Sequence, residues 1–466
     1  MRKMMTSSLF YALALLLVVL VTEKGCLVKG STSTPNQAGS SVSSNAAIHQ
    51  GLEAKLHQQP KPQDPHNNVP VIDLSLSNDD ERLIQQIARA CQDPGFFQVI
   101  NHGISMELIQ TFRRQCELYY DLPATLKQGW KRSKRNARGY FDDEYTKQKL
   151  DWKQALDVGV PGSRDWTLAD NDPRNEQCCD GLNQFPPTSV LPEYRQVTVA
   201  YMQACETLSK RLALLMAKGL HWLRRHEERE DDAAALPADP SFVAEDDPFL
   251  LDMAANHSSY LRTNYYPPHN TASSPSSSSQ SSSTLGISPH KDAGFLTVLL
   301  QDDDCHSLQV PRHGTHGDWM TVSPIPGALT INTGDMAQIW SNDAYQAPLH
   351  RVLTSSSQRR YSAPFFYNPP YHTTIQPFMS TTTTAARSMY HPVLWAYFRA
   401  VRFAGDWTNL GVEIQIEHFR KDLGDDPMAS RRHLRVQDLF QKQGMDTKPF
   451  DVEQYAALLS MAETQK

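Results

Sequence analysis

Paired cysteines, long apolar runs and an excess of basic charge are all missing from this 466-residue chain. Its seven cysteines (26, 91, 116, 178, 179, 205 and 305) form no C-x-x-C pair. That excludes a zinc ribbon and argues against a disulfide framework. Cys178 and Cys179 are adjacent, and the simplest reading is two ordinary loop cysteines. The one apolar run of any length, Leu9–Val21, has 13 residues, short of the ~20 that cross a membrane. Lys and Arg total 45 against 51 Asp and Glu, a net charge of −6. No concentrated basic face is implied, so a nucleic-acid partner is not expected. Glycine is outnumbered by proline, 22 to 30, and no G-x-y or heptad period exists; collagen and coiled coil are excluded.

What is present is an ordinary globular balance, 40% hydrophobic and 21% charged. At ~150 residues per domain the length suggests about three units, or fewer if one is a large β fold. Arg2 and Lys3 precede the Leu9–Val21 run, and small residues follow near Val28-Lys29-Gly30. An apolar core of ~7–15 residues fits a secretory signal, so residues 1–30 read as a leader or anchor. A secretory or endomembrane route is expected, with cytoplasm or plastid as alternatives and no span in the mature chain. Residues 31–68 are rich in Ser, Gln, Asn, Pro and Gly. They cannot bury enough apolar surface to offset ordering entropy and read as a disordered linker.

The folded body begins near Val69. Val69–Leu74 alternates as a short strand. Ser77–Glu81 supplies helix-capping oxygens and first-turn acids, and Leu83, Ile84, Ile87, Ala88 and Cys91 follow at helical spacing. Phe96–Ile100 reads as a strand and Ser105–Tyr120 as a helix. Arg224–Pro248 is a charged helix end and loop, and Thr271–Thr284 a serine-rich low-complexity excursion. Beyond Leu261 the period becomes two. Strands are expected at Ser259–Tyr266, Phe295–Leu300, Leu308–Val310, Trp319–Val322, Ala328–Asn332, Ala337–Trp340, His350–Leu353 and Arg360–Tyr367. Many short strands with frequent turns indicate a barrel or double sheet. The divisions are 69–190 (N-terminal α/β region), 191–256 (helices and charged loop), 257–370 (β core) and 371–466 (C-terminal helices).

Polar side chains recur on these strands at i, i+2, a spacing that puts both on one face. His290 and Asp292 are such a pair, with Lys291 pointing away. Asn264 and Tyr266 are a second, Arg360 and Ser362 a third, and His350 stands alone. Buried without partners these groups would be costly; a ligand or ion that satisfied them would remove the difficulty. Two His and one Asp are the facial triad of iron(II), with three positions left open. Tetrahedral zinc with a water fits the same residues. Arg360 favours iron, because a guanidinium fork awaits a carboxylate, and a dicarboxylic co-substrate could reach from metal to Arg360 with hydroxyls of Ser362 and Tyr266 assisting.

The segments VPVIDLS (69–75), GFFQVINHGI (95–104), LRTNYYPP (261–268), GISPHKDAGFLTVLLQDD (286–303), SLQV (307–310), PGALTINTGDMAQIWSNDAYQAPLHRVL (326–353) and RYSAPFFYNP (360–369) together resemble the isopenicillin N synthase-like branch of the 2-oxoglutarate- and iron(II)-dependent dioxygenases. They cover most of residues 69–370 in family order. The resemblance implies a mainly β fold with flanking helices: a double-stranded β-helix (jelly-roll) core plus an N-terminal α/β region. It implies Fe(II) on His290, Asp292 and His350. The distal carboxylate of 2-oxoglutarate would lie on Arg360 and Ser362, with Tyr266 assisting and Asn264 nearby. O2 would be co-substrate and ascorbate an accompanying reductant. The implied reaction hydroxylates or desaturates a small organic metabolite and releases succinate and CO2; a monomer is expected. Two other readings use the same residues: an oxidase of this fold that does not use 2-oxoglutarate, like isopenicillin N synthase or aminocyclopropane carboxylate oxidase, and a non-catalytic jelly-roll binding protein. Phe141, Tyr145, Phe365 and Tyr367 read as core packing before pocket lining. His102, His257 and His269 receive no metal role.

Overall fold

A computed structural model describes residues 69–146, 149–226, 243–268, 285–312, 318–378, 388–405, 407, 413–421 and 427–464. The expected leader and linker, the serine tract 271–284, His269 and residues 227–242 of the charged stretch lie outside them. Among the described residues no helix is long and apolar enough to cross a membrane.

The early helices start where the sequence supplies oxygen caps. Asp80 accepts from the backbone N–H groups of Arg82 and Leu83 to open the helix Glu81–Gln92, which buries Leu83, Ile87, Ala88 and Cys91. Ser105 accepts from Leu108 N–H to open Met106–Tyr120. Both pack on a 33-residue helix, Tyr194–His226, which in turn lies on the main sheet.

The strands in chain order are β1 (Val71–Asp73), β2 (Phe96–Ile100), β3 (Gly139–Phe141), β4 (Tyr145–Thr146), β5 (Lys149–Leu150) and β6 (Gln154–Gly159). Then come β7 (Tyr260–Tyr266), β8 (Leu285–His290), β9 (Leu296–Gln301), β10 (Leu308–Pro311) and β11 (Trp319–Thr321). The last are β12 (Leu329–Thr333), β13 (His350–Leu353), β14 (Arg360–Tyr367), β15 (Thr374–Ile375) and β16 (Val393–Leu394). An eight-stranded sheet has the order β1-β2-β12-β9-β14-β7-β6-β3, and a four-stranded sheet the order β11-β10-β13-β8. Among these strands only the β1–β2 pairing is parallel.

Alternation on three neighbouring strands separates core from cavity. Ala363, Phe365 and Tyr367 of β14, Leu261 of β7, and Leu296, Val298 and Leu300 of β9 join the large apolar core shared with the helices. Their alternates, such as Arg360 and Ser362, Asn264 and Tyr266, and Thr297, face a cavity. A smaller apolar cluster links the two sheets: Phe96, Tyr266 and Leu299 from the large one meet Leu308, Val310, Met320 and Val352 from the small one. Phe141, Phe365 and Tyr367 are buried in the core as expected, while Tyr145 is half-exposed at the cavity.

Ala337–Trp340, expected as a strand, is the middle of a helix, Asp335–Ser341. Every one of its residues is buried, so its apolar run carries no period by which to tell helix from strand. Asn342, left-handed at φ 58°, closes it. The helix starts at a tight crossing. Gly334 N–H bonds Phe295 O, and Asp335 N–H bonds Asp292 O at 2.8 Å. A Cβ on Gly334 would collide with the carbonyl oxygen of Gly294 and sit 3.0 Å from that of Asp292. Gly334→Ala should therefore destabilise the protein by about 1–3 kcal/mol, visible as a lower urea midpoint; an unshifted midpoint would show that the crossing yields freely.

Candidate metal centre and its cavity

His290 ends β8 and His350 begins β13, and the two face each other as register partners across the antiparallel pair. Their ring centroids are 4.2 Å apart. Asp292 is not on the strand with His290, as expected, but two residues past its end, in the turn before β9. It is turned inward by side chains from two strands of the large sheet. Thr297 donates to Oδ2 at 2.6 Å and Asn332 at 2.8 Å. Oδ1 is left 3.7 Å from His290 Nε2 and 3.6 Å from His350 Nε2. One ligand atom from each of the three residues lies within 4.8 Å of the others.

The imidazoles are prepared for a metal. His290 Nδ1 bonds the carbonyl of Ser288 at 2.9 Å and His350 Nδ1 that of Pro348 at 3.1 Å. A carbonyl only accepts, so each Nδ1 carries the proton and each Nε2 presents a lone pair. Burial, then the neighbouring His350, push the His290 pKa below its usual value, which favours the neutral ring a metal ligand needs. Burial works to raise the pKa of Asp292. The neighbouring imidazoles, when protonated, and the bonds from Thr297 and Asn332 overcome it and hold the carboxyl below its usual range.

Arg360 and Ser362 begin β14, and the register sets them opposite Tyr266 and Asn264 of β7. All four line the cavity. Arg360 is 2% exposed, and its guanidinium lies over the Tyr266 ring, 4.9 Å from the centroid. Its side chain donates to Ser362 Oγ at 3.3 Å, and its Nε has no partner among the described residues. Asn264 donates weakly to Ser362 Oγ at 3.4 Å, and its own Oδ1 is unpartnered. No described carboxylate pairs with this arginine. A buried guanidinium left this way fits a carboxylate from a ligand.

The cavity holds about 550 Å³. Its outer wall is charged but internally matched. Lys153 meets Glu144 at 2.6 Å and Asp151 at 2.9 Å. Arg262 takes both oxygens of Asp157 at 2.8 Å and reaches Glu144 at 3.0 Å. Arg399 pairs with Asp180 at 3.1 Å, and Arg402 with Asp335 at 3.3 Å and with Glu413. Burial raises the Asp335 carboxyl to about 6 despite Arg402. Lys291 is not turned away as expected: it lines the cavity and reaches Glu417 at 3.5 Å. His102 and His257 are engaged elsewhere, with Gly327 O and with Ser259 and Glu206.

Comparison with known proteins accords with this arrangement. The description 2OG-Fe(II) oxygenase superfamily matches residues 257–369, and that of the non-haem dioxygenase in morphine synthesis N-terminal region matches 69–188. Jasmonate-induced oxygenase 1 of Arabidopsis thaliana is 32% identical over 335 residues, 71% of this chain and 72% of that protein. Feruloyl CoA ortho-hydroxylase 2 of the same plant is 28% identical, over 80% of this chain and 89% of that one. The crystal structure of JOX2 in complex with 2OG, Fe and JA is similar at 29% identity and a TM-score of 0.54, over 76% of this chain and 91% of that one. A full-length Neurospora crassa protein crystallised with alpha-KG and thymine shares the fold, with a TM-score of 0.57 at 19% identity, over 74% of this chain and 99% of that one.

The chain belongs to the 2OG-Fe(II) oxygenase superfamily. It has that family's double-stranded β-helix core with flanking helices. It is an oxidoreductase that uses Fe(II), 2-oxoglutarate and O2 to oxidise a small organic molecule, releasing succinate and CO2, and not a non-catalytic binding protein.

Sequence reasoning missed Thr297, Asn332 and the ion-paired wall. A signal existed for the first two, buried polar residues in the strands β9 and β12, but their pairing with Asp292 depends on strand order. Thr297→Val, which removes one support of Asp292, should weaken divalent-metal binding ~10–100-fold. Anaerobic cobalt(II) titration followed by absorbance reads this directly, and wild-type affinity would show that the hydroxyl is dispensable.

Proposed function

We propose that His290, Asp292 and His350 hold the Fe(II), and that Arg360 and Ser362 receive the distal carboxylate of 2-oxoglutarate, with Tyr266 beneath the guanidinium and Asn264 alongside. The observation that carries this is a pair of complementary needs in one cavity: three ligand atoms gathered about one point, and one buried guanidinium that no described carboxylate matches. Nitrogen and carboxylate donors with open positions suit iron(II). When bound, iron and 2-oxoglutarate supply the activation of O2, the keto acid becoming succinate and CO2.

The chain's own residues bind, orient and exclude water. Asp292 presents one oxygen because Thr297 and Asn332 occupy the other. The two imidazoles present Nε2 because backbone carbonyls hold their Nδ1 protons. Arg360 fixes one end of the co-substrate and so its reach toward the three ligands. The apolar cluster of Phe96, Leu299, Leu308 and Val352 keeps that end of the cavity dry. The prime substrate occupies the remaining space beside the ion-paired wall. One chain supplies every one of these residues, which supports action as a monomer. The basic pair and apolar run at the amino terminus support a secretory or endomembrane route.

His290→Ala should abolish both cobalt(II) binding and succinate release from 2-oxoglutarate; turnover that persists would remove His290 from the ligand set. Arg360→Ala strands a ligand carboxylate without its partner, a loss of roughly 3–5 kcal/mol. The expected result is much weaker 2-oxoglutarate binding with metal binding unchanged, measured by anaerobic titration of the visible band of the metal chelate. Wild-type co-substrate affinity in that variant would overturn the assignment of Arg360.

A further inference from the structure

The adjacent cysteines have no part in the oxygenase chemistry, yet their surroundings are specific. Cys178 Sγ and Cys179 Sγ lie 3.2 Å apart and neither is in a disulfide. They sit in a tight turn closed by Gly181 N–H on Gln177 O at 3.2 Å. Cys179 has φ +67° and Gly181 φ +75°. A left-handed cysteine is disfavoured, so the surrounding packing holds this turn in place. Each thiol donates to a carbonyl of the C-terminal region: Cys178 to Met445 O at 3.2 Å, Cys179 to Ala396 O at 3.5 Å. The next residue, Asp180, is the carboxylate that holds Arg399 at 3.1 Å and Arg138 at 3.6 Å. Ala396 and Arg399 belong to the helix Trp395–Gly405, whose Trp395, Arg399, Val401 and Arg402 line the cavity.

We propose that Cys178 and Cys179 form a reversible dithiol–disulfide modification site, reactive toward small disulfides of the glutathione type, that controls the firmness of this cavity wall. Both thiols are buried, Cys178 7% and Cys179 2% exposed, and burial pushes the Cys179 thiol pKa up, so exchange proceeds when the turn opens and begins at Cys178, the less covered sulfur. The Cys178 sulfur attacks one sulfur of the small disulfide, breaking that S–S bond, forming a mixed disulfide and releasing one small thiol. The Cys179 sulfur then attacks the Cys178 sulfur and releases the second. The two cysteine thiols are oxidised to one disulfide, the small disulfide is reduced to two thiols, and the two cysteine protons end on those thiols.

The product is suited to reversal. Neighbouring Cα atoms are ~3.8 Å apart across a trans peptide, below the ~4.4–6.8 Å that an unstrained disulfide spans. Such a bond is easily reduced again. Oxidation also removes both S–H donors, so Met445 O and Ala396 O lose their partners and the turn carrying Asp180 must change shape. The Asp180–Arg399 ion pair transmits that change to the wall helix.

The test incubates the full-length protein anaerobically in glutathione buffers of graded redox poise. Each sample is acid-quenched, unfolded and alkylated with N-ethylmaleimide, and its peptides are weighed. The expected result is a 178–179 peptide that passes from two adducts to none, two hydrogens lighter than the free dithiol, and reverts with dithiothreitol. Cys91, Cys116, Cys205 and Cys305 should stay alkylatable throughout. Cys179→Ser should arrest with glutathione on Cys178. Amide hydrogen exchange across 395–405 should rise several-fold in the oxidised wild type. Thiols at 178 and 179 that both persist in fully oxidised glutathione would overturn the site, whatever the variant does. Unchanged exchange in a protein that does oxidise would overturn the link to the wall. Neither readout depends on metal or turnover, so failure here is separable from failure of the iron assignment.

Discussion

A carboxylate inside a protein is expensive unless every lone pair is used, and the handling of Asp292 organises the whole centre. Two donors come from neighbouring strands of the large sheet, Thr297 on β9 and Asn332 on β12. Two imidazoles come from the paired strands β8 and β13 of the small sheet. One acidic side chain thus gathers elements from both sheets. Its backbone carbonyl also receives Asp335 N–H, tying in the short buried helix that follows β12. Without this convergence the two histidines would remain register partners with nothing to complete them.

Much of this could be read from the residues alone, because the informative signals were local. The β2 strand and the first two helices announce themselves through period and capping oxygens. His290 with Asp292 and Arg360 with Ser362 stand out as polar pairs at same-face spacing, His350 as a lone polar group on an apolar strand, and the cavity receives all of them. The losses have physical reasons. The Asp335–Ser341 helix is buried on every side, so no polar face marks its period. Asp292 leaves the strand because its carboxylate follows its hydrogen-bond partners and not the pleat. The charged wall joins residues such as Arg262 and Glu144, 118 positions apart, or Arg399 and Asp180, 219 apart. Nothing in either neighbourhood names the other.

That wall changes how the cavity should be viewed electrostatically. Lys153, Arg262, Arg399 and Arg402 would by count make a strongly cationic chamber. Each is instead matched by acids, some of which (Glu144 and Glu413) line the cavity beside it, and Arg262 and Lys153 share Glu144. Arg360 differs in having no described carboxylate in ion-pair contact, although Asp302 feels its charge. The positive charge not taken up by an ion pair is therefore concentrated at one end of the cavity.

The alternation along β14 has a geometric corollary. Arg360, Ser362, Pro364 and Phe366 all line the cavity, at two-residue intervals of ~7 Å on an extended chain. The strand is a graduated rail, with a buried guanidinium at one mark and an aromatic ring at the last. Moving a determinant along it changes reach only by whole intervals. Discrimination between molecules that differ by a bond length or two must come from side-chain bulk at a given mark.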